Sequence, residues 1–266
     1  MNHDSYPMES MIRIIVLCGG SLTVFQQKVI ESIMNEPQIA VSAALIDARP
    51  RASFKKRFKK NLKRGRGGYM LIMFLKHLRG RKDPTVGTKD FFSGRGVPCI
   101  ETPDPYTRET LDSIAPISAD LMVLIGGFGI VKEPLLSAVP GGILSYHHGD
   151  MRKYRGQPPG LWELYNGEKE MGVTVQRIAA GLDKGTPFEE ITVPILNTDN
   201  EDSLYNRAKE MSIDMMRQAV LAVHDPDYRP KTIQRYGSVY TLPNLRQYLT
   251  LKWKLLIRRL GKRYHI

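Results

Sequence analysis

Apolar runs alternate with helical patterns along the first half of the chain. Residues 12–17 and 39–47 are runs of apolar side chains, which is typical of buried strands. Residues 22–34 between them carry apolar side chains at helical spacing. This order of strand, helix and strand predicts a parallel sheet covered by helices. The pattern continues with strands predicted at 97–100, 120–125 and 142–147 and a helix at 107–115.

The second half predicts a change of strand direction. Residues 173–178 and 189–195 alternate between apolar and polar side chains, so we expect them to pair antiparallel in a mixed sheet. Helices are predicted at 160–167 and, as one long element, at 201–223. The fold class is therefore α/β, with a mixed, mostly parallel sheet and helices on both faces.

Two regions interrupt or follow this pattern. A basic insertion at about 51–90 separates the predicted strands of the domain at 11–223. After the domain, residues 224–244 are rich in proline and predicted to be irregular, and residues 245–266 have the pattern of a basic helix.

Composition limits the classes of protein that fit. The chain has 266 residues, and its hydrophobic fraction of 42% suffices for a proper core. Its two cysteines, Cys18 and Cys99, exclude a disulfide scaffold or a cysteine-built zinc site. The first ten residues lack the pattern of a secretory signal, and the apolar runs fall short of the roughly 20 residues that a membrane span needs. We expect a cytoplasmic protein.

The net charge of +12 is concentrated in two segments. Residues 51–82 hold 13 Lys and Arg and no acid, and residues 245–266 hold 7 and no acid. Both segments are amphipathic, and three interpretations are open: an anionic membrane surface, an RNA contact, or a solvated basic face with an oligomer contact. Of the first two, we favour binding to a membrane surface over binding to a nucleic acid, which would make the protein peripheral to the membrane. The oligomeric state is not predicted.

One glycine pair follows the first strand, at Gly19 and Gly20. The surrounding residues do not form the Gly-x-Gly-x-x-Gly fingerprint of a dinucleotide site, so we interpret the pair as a tight turn and expect no nicotinamide cofactor.

A histidine and an aspartate carry the candidate chemistry. His147 ends a predicted strand, where ligands and catalytic groups of α/β sheets lie, and imidazole exchanges a proton near neutral pH. Asp183 lies in a glycine-flanked turn and can approach His147 if the chain returns beside it. His148 should face the other side of the strand, so we expect no metal to be held by these histidines and Asp150.

The motif around these residues resembles the folate-dependent formyltransferases, which act on methionyl-tRNA, glycinamide ribonucleotide or amino sugars. That family shows Asn-x-His-x-Ser-Leu-Leu-Pro-x-x-Arg-Gly, followed by Pro, Trp, Asn-Gly, Gly-x-Thr and Leu-Asp-x-Gly. The matching positions here are Ser145, His147, Arg155-Gly156, Pro159, Trp162, Asn166-Gly167, Gly172-x-Thr174 and Leu182-Asp183-x-Gly185. The likeness extends more weakly over 11–48 and 95–223.

The resemblance implies a Rossmann-like formyltransferase fold and N10-formyltetrahydrofolate as the co-substrate. It implies that His147 and Asp183 are catalytic, with Ser145 at the position of the family's third catalytic residue, an asparagine. Residues that correspond to the walls of the folate pocket are Gly126, Gly127, Phe128, Ile130, Gly181, Leu182 and Gly185.

Two departures leave the function open. Ser145 has a shorter reach than asparagine, and the family's Ser-Leu-Leu-Pro loop is replaced by one that includes Asp150 and Arg152. We expect Asp150 and Arg152 to select a different acceptor or to help replace the missing asparagine, and we assign Arg155 to the same substrate loop. Pairing of Asp150 with Arg152 or with solvent is the alternative. Formyl transfer to a small primary amine is favoured. A hydrolase that releases formate and a non-catalytic folate-binding protein are the other interpretations.

The length of the C-terminal segment bears on which amine accepts the formyl group. The methionyl-tRNA enzymes carry a further β-rich domain at the C-terminus, and only 43 residues (224–266) follow the last long predicted helix here. This is too few for that domain. If the basic segments contact a membrane, a sugar nucleotide or a lipid-linked amino sugar is the natural acceptor, so an amino sugar or a sugar nucleotide is the expected acceptor.

Overall fold

A computed structural model describes residues 11–50, 53–79 and 83–261, apart from the side chains of His77 and Arg79. The strands are β1 (Ile12–Gly19), β2 (Ser21–Thr23), β3 (Ile39–Asp47), β4 (Thr85–Gly87), β5 (Cys99–Thr102), β6 (Leu121–Leu124), β7 (Ile143–His147), β8 (Tyr154–Gly156), β9 (Glu170–Arg177), β10 (Thr186–Pro194) and β11 (Ser238–Tyr240). The helices are α1 (Val24–Met34), α2 (Phe54–Leu62), α3 (Gly67–Arg79), α4 (Thr88–Ser93), α5 (Arg108–Ile114), α6 (Leu161–Asn166), α7 (Glu201–Met211), α8 (Met215–His224) and α9 (Leu245–Arg259).

Seven strands form a mixed sheet in the order β10-β9-β7-β6-β1-β3-β5. The pairs β1–β3, β1–β6, β3–β5 and β6–β7 are parallel, and β9 pairs antiparallel with β10. The predicted fold class is confirmed, including the antiparallel pair. His147 lies at the carboxyl end of β7, which is the edge where open α/β sheets place their ligands.

The chain forms two compact units, and the first contains the parallel strands. It comprises the described residues up to Arg49, Thr85–Ser145 and Asp214–Arg229. β1 is its centre, because the four consecutive residues 14–17 are completely buried between the neighbouring strands. α1 begins at a capping box made by Thr23 and Gln26 and buries one apolar stripe, formed by Val29, Ile30 and Ile33.

The second unit holds the antiparallel hairpin and the basic segments. It comprises the described residues between Pro50 and Pro84, then Tyr146–Ile213, and those from Pro230 onward. The hairpin β9–β10 contributes Met171, Val173, Val175 and Val193 to its core. Helix α9 contacts both α3 and α6 in this unit.

The prediction of one long helix at 201–223 is wrong, because α7 ends at Met211 and α8 begins at Met215. The hydroxyl of Tyr146 donates to the carbonyl oxygens of Ser212 (2.6 Å) and Ile213 (3.4 Å). A carbonyl oxygen that accepts from a side chain is drawn away from the hydrogen bonds of the helix. The amide of Ser212 donates to the carbonyl oxygen of Lys209, three residues back, as at the end of a helix. The continuous apolar pattern conceals this break.

The prediction that residues 224–244 are irregular is wrong at one place. β11 pairs in parallel with β8, residue for residue from Ser238 and Tyr154 to Tyr240 and Gly156. Strands of three residues are too short to show an alternating pattern, so this pair has no sequence signal of its own.

Candidate active site

His147 and Asp183 lie together in the second unit. Nδ1 of His147 is 3.5 Å from Oδ1 of Asp183, and Nε2 is 2.8 Å from the carbonyl oxygen of Tyr154. Both ring nitrogens therefore face oxygen acceptors. A neutral imidazole can donate to one of them only, whereas an imidazolium donates to both. Because the carbonyl oxygen of Tyr154 can only accept, Nε2 carries a proton, and Nδ1 is the nitrogen that faces the carboxylate.

Asp183 is held in an unusual backbone conformation. Its φ is +46°, in the left-handed region that Asp and Asn tolerate better than other side chains with a Cβ. Its Oδ2 accepts a hydrogen bond of 2.7 Å from the amide of Gly156, which leaves Oδ1 directed at the imidazole. Strained backbone of this kind concentrates at functional sites.

Arg155 holds the turn that carries Asp183. Its Nη1 donates to the carbonyl oxygen of Leu182 at 3.1 Å, and its Nε donates to the carbonyl oxygen of Gly237 at 2.8 Å. On the other side of the turn, the hydroxyl of Tyr236 donates to the carbonyl oxygen of Lys184 at 3.1 Å. Arg155 was predicted as a residue of the substrate loop. In the structure its guanidinium bonds one carbonyl of the Asp183 turn and one at Gly237, and its role toward an acceptor stays a prediction.

Gly149 is the residue whose lack of a side chain admits the imidazole. A Cβ at this position would lie 2.7 Å from Nε2 of His147 and 3.0 Å from the carbonyl oxygen of Tyr154. These distances are well inside van der Waals contact, so a larger residue would displace the ring or break its bond to Tyr154. Glycine is required where backbone must approach another group so closely.

Asp150 and Arg152 form part of a charged cluster. The guanidinium of Arg152 contacts Glu190 at 2.5 and 3.2 Å and Oδ1 of Asp150 at 3.4 Å. Burial alone would raise the pKa of Glu190, but Arg152 and Lys231 outweigh it and the pKa is lowered. The cluster lines a cavity of about 320 Å³. The pairing of Asp150 with Arg152, which was the alternative interpretation, is therefore observed, with Glu190 as a further partner, and selection of the acceptor stays a prediction.

His148 lies in surroundings different from those of His147. Its ring stacks on Tyr146, with centroids 5.5 Å apart, and contacts Tyr205 edge-on at 5.1 Å. Burial, followed by the charges of His147 and Lys209, lowers its pKa to about 3, so the ring is neutral near pH 7. The expected opposite orientation of the two histidines is observed. Within the described residues, no three His, Cys, Asp or Glu side chains are arranged to hold a metal ion.

The loop 126–130 lies in the first unit and is fixed by two side chains. Arg49 is bound to Asp47 by two hydrogen bonds, of 2.8 and 2.7 Å, and donates to the carbonyl oxygen of Phe128 at 2.9 Å. The hydroxyl of Tyr106 donates to the carbonyl oxygen of Ile130 at 3.0 Å. Phe128 is buried and Ile130 is exposed. The role of Arg49 was not predicted from the sequence. The only signal there is that Asp47 and Arg49, two opposite charges, stand at the end of a predicted strand.

A family comparison agrees with this geometry. Residues 76–220 match the family model described as Formyl transferase. The chain belongs to the formyl transferase family. The matched residues include the candidate site around His147 and Asp183, which confirms the resemblance inferred from the motif.

Similar proteins include enzymes that act on tRNA. A methionyl-tRNA formyltransferase of Trichlorobacter lovleyi is 30% identical over 142 residues, which are 53% of this chain and 45% of that protein. One of Thermosynechococcus vestitus is 32% identical over 142 residues, which are 52% of this chain and 42% of that protein. The formyl transferase chain thus spans less than half the length of these curated relatives.

Solved structures share the fold at lower identity. Glycinamide ribonucleotide transformylase 1 from Symbiobacterium toebii superposes with a TM-score of 0.58 and 21% identity, covering 86% of this chain and 95% of its own. An N-formyltransferase from Helicobacter canadensis gives a TM-score of 0.59 and 14% identity, covering 96% of this chain and 84% of its own. These similarities show the Rossmann-like formyl transferase fold.

The predicted site residues fall into separate groups. His147, Asp183, Leu182 and Arg155 are brought together in the second unit, as are Asp150 and Arg152. Ser145 lies on β7 two residues before His147, so their side chains share one face of the strand. Gly126, Gly127, Phe128 and Ile130 belong to the loop held by Arg49 and Tyr106, and Gly181 and Gly185 flank the Asp183 turn.

Proposed function

We propose that this formyl transferase moves a formyl group from N10-formyltetrahydrofolate to a primary amine. The observation that carries the proposal is the arrangement of His147, whose two ring nitrogens face the Asp183 carboxylate and the Tyr154 carbonyl. One protein of similar structure, the sugar 3N-formyltransferase WlaRD, was crystallised in the presence of dTDP and 5-N-formyl-tetrahydrofolate. The Helicobacter canadensis enzyme was crystallised in complex with folinic acid and dTDP-3-aminofucose. These ligands support the proposed donor.

The bound donor would supply an activated formyl group, and the protein's own residues would manage charge and protons. Attack by an amine places negative charge on the formyl oxygen, which a fixed hydrogen-bond donor stabilises. His147 is held by Tyr154 through Nε2, so Nδ1 is the ring nitrogen that exchanges partners during reaction. As the amine forms its bond to the formyl carbon, Asp183, whose Oδ1 lies 3.5 Å from Nδ1, would take the proton that the amine loses. As the bond between the formyl carbon and N10 breaks, Nδ1 would give its proton to N10 of the leaving tetrahydrofolate and recover one from Asp183.

The turn around Asp183 would make this arrangement ready before any ligand binds. The amide of Gly156 holds the carboxylate itself, and Arg155 holds the carbonyl oxygen of Leu182, the residue before it. A preorganised donor costs no reorganisation during the reaction, which is the largest advantage that an enzyme has over water. Ser145 would contribute a hydroxyl donor on the same strand face as His147, in place of the longer amide of asparagine.

For the acceptor, we propose the amine of a small amino sugar or sugar nucleotide. Two proteins with the same fold support this choice, one a sugar 3N-formyltransferase and the other a complex with dTDP-3-aminofucose. The second candidate is methionyl-tRNA, because relatives at 30% and 32% identity are methionyl-tRNA formyltransferases. The two acceptors differ greatly in size and chemistry, so one assay separates them.

The test is incubation of the protein with N10-formyltetrahydrofolate and a panel of acceptors. The panel contains dTDP- and UDP-linked amino sugars, charged methionyl-tRNA, and a sample without any amine. Mass spectrometry detects the acceptor with one added CO, and absorbance detects tetrahydrofolate. We expect a formylated amino sugar and no product without an amine. Formate release without an amine would indicate a hydrolase, and donor binding without turnover would indicate a binding protein; either result would overturn the proposal.

A further inference from the structure

Helix α9 has two apolar stripes, and only one of them packs into the protein. Tyr248, Leu251 and Leu255 are buried against the second unit. A second set, spaced three or four residues apart, is between 41% and 64% exposed: Leu245, Leu249, Trp253, Leu256 and Leu260. The spacing places this set on one side of the helix, away from the buried stripe. An amphipathic helix needs only the first stripe to pack on a core.

Helix α3 repeats this arrangement beside α9. Tyr69 and Met70 are buried, and the ring of Tyr69 contacts that of Tyr248 edge-on at 5.2 Å. Three leucines at spacings of four and three residues are between 43% and 64% exposed: Leu71, Leu75 and Leu78. The two helices meet at their first turns, where a Cβ on Gly68 would lie 3.1 Å from Cβ of Leu245. We call the exposed apolar residues of α3 and α9 together the leucine face.

Helix α2 joins α3 through its aromatic residues and carries cations. The rings of Phe54 and Phe74 lie with centroids 4.6 Å apart. The cations of α2 and of the turn after it are exposed or half-exposed: Lys55, Lys56, Arg57, Lys59, Lys60, Lys63, Arg64 and Arg66. Residues 53–79 contain no acidic residue. A continuous group of cations therefore adjoins a helix whose outer stripe is leucine.

The cations of α9 have a different role, because most of them bind within the protein. Lys252 pairs with Glu201 at 2.6 Å, and Lys254 donates to the carbonyl oxygen of Tyr165 at 2.9 Å. Arg258 and Arg259 donate to the carbonyl oxygens of Asp199 and Thr198. These bonds fix the orientation of α9 and keep its part of the leucine face exposed. The helix is thus tethered by its cations, and α2 supplies the exposed cations that a partner can contact.

We propose that the leucine face and the cations of α2 bind the surface of an anionic lipid bilayer. The leucines would enter the boundary between headgroups and acyl chains, and the lysines and arginines would contact anionic headgroups. None of the described helices has the length and apolar character required for crossing a bilayer. The proposed contact is therefore peripheral, and it depends on both anionic lipid and ionic strength. It would place the enzyme beside amines that are attached to lipid carriers.

The inference is tested by sedimentation of the full chain with vesicles, without donor or amine, so the result is independent of formyl transfer. Vesicles of phosphatidylcholine with about 30% phosphatidylglycerol are compared with pure phosphatidylcholine, each at low and high salt. We expect retention by the anionic vesicles at low salt and a blue shift of Trp253 emission, since Trp253 is exposed whereas Trp162 is buried. High salt should reduce retention at least about tenfold.

Two variants and a matched control identify the surface. Leu249→Glu with Leu256→Glu removes part of the leucine face, and glutamine at Lys55, Lys56, Lys59 and Lys60 removes four cations. Each variant should bind anionic vesicles at least about tenfold more weakly. The control, Leu196→Glu with Met211→Glu, changes the charge equally at two exposed apolar residues outside α2, α3 and α9, and should bind like the wild type.

Three results would overturn the inference. The first is absence of the folded wild-type protein from the anionic vesicle pellet. The second is binding by the leucine variant at the wild-type level. The third combines two observations: the wild type does not bind vesicles, and the leucine variant changes its oligomeric state in sedimentation equilibrium. The leucine face would then be an interface between copies of the chain. Retention by RNA and not by vesicles would likewise assign the cations to a nucleic acid.

Discussion

Nδ1 of His147 lies 3.5 Å from Oδ1 of Asp183, although the two residues are far apart along the chain. Their approach depends on backbone contacts on both sides. The Tyr154 carbonyl fixes the far nitrogen of the ring, and the Gly156 amide fixes the far oxygen of the carboxylate. Backbone groups therefore fix each side chain on the side that faces away from the other.

Asp183→Asn should reduce kcat by about 10²–10⁴. Asparagine keeps a carbonyl oxygen for the Gly156 amide, so the turn should survive. It presents a neutral amide to His147, however, and cannot support positive charge on the ring. The measurement is steady-state formyl transfer with the donor and the best amine of the panel. Activity within about twofold of wild type, with an unchanged melting temperature, would show that the carboxylate is not needed.

Ser145→Asn should retain activity or raise it by up to about tenfold. The longer amide reaches further along the strand face that Ser145 shares with His147, and a donor to a developing oxyanion strengthens transition-state binding. Comparison with Ser145→Ala, which removes the hydroxyl, gives the contribution of the serine. Complete loss of activity in the asparagine variant would show that the serine hydroxyl has a role that an amide cannot replace.

Arg155→Lys should lower kcat by about 10–100-fold with little change in the KM of the donor. Lysine has a point charge in place of the planar fork that reaches Leu182 and Gly237 together, so the Asp183 turn loses one of its supports. Lys153→Arg, at an exposed residue that pairs with Glu168, is a control for the exchange of one cationic side chain for another in the same loop. A rise in KM with kcat unchanged would indicate that Arg155 binds substrate and does not position Asp183.

Glu163→Gln should make stability less dependent on pH. Burial is the main reason that the pKa of Glu163 rises from 4.5 to about 7. Between these pH values, the unfolded chain releases a proton that the folded protein keeps, so the free energy of unfolding of the wild type falls as pH rises. The glutamine variant lacks this loss. Its stability relative to the wild type should rise by about 1–3 kcal/mol between about pH 4.5 and pH 8.

Urea unfolding at the two ends of this pH range measures the difference. Glu170→Gln is the matched control, since Glu170 lines the same cavity as Glu163 but is exposed. Parallel loss of stability in the wild type and in Glu163→Gln across this pH range would contradict the assignment of the pH dependence to Glu163.

The sheet was predictable from the sequence because most of its strands contain runs of buried apolar residues. Ile39–Asp47 was predicted at its observed bounds, and the antiparallel partners β9 and β10 were both predicted. The elements that were missed have local reasons. Tyr146 interrupts the α7–α8 pattern through two carbonyl oxygens, and β11 is too short for periodicity.

The sequence predicted those parts of the candidate site that consist of side chains at motif positions, and it did not predict the backbone groups that hold them. His147 and Asp183 stand at motif positions, so the sequence indicated both. The Tyr154 carbonyl and the Gly156 amide are backbone groups, and no residue type marks them. Arg155 was predicted as a substrate-loop residue at a motif position, whereas its two carbonyl partners are visible only in the fold.

The central claim is that the His147 imidazole takes part in formyl transfer as a proton carrier and hydrogen-bond donor, and His147→Ala tests it most directly. Single-turnover formation of the formylated amine is measured for the wild type and the variant, with donor binding followed separately by fluorescence titration. We predict a loss of at least about 10³ in the single-turnover rate with donor affinity nearly unchanged. A variant that forms product at the wild-type rate would contradict this account.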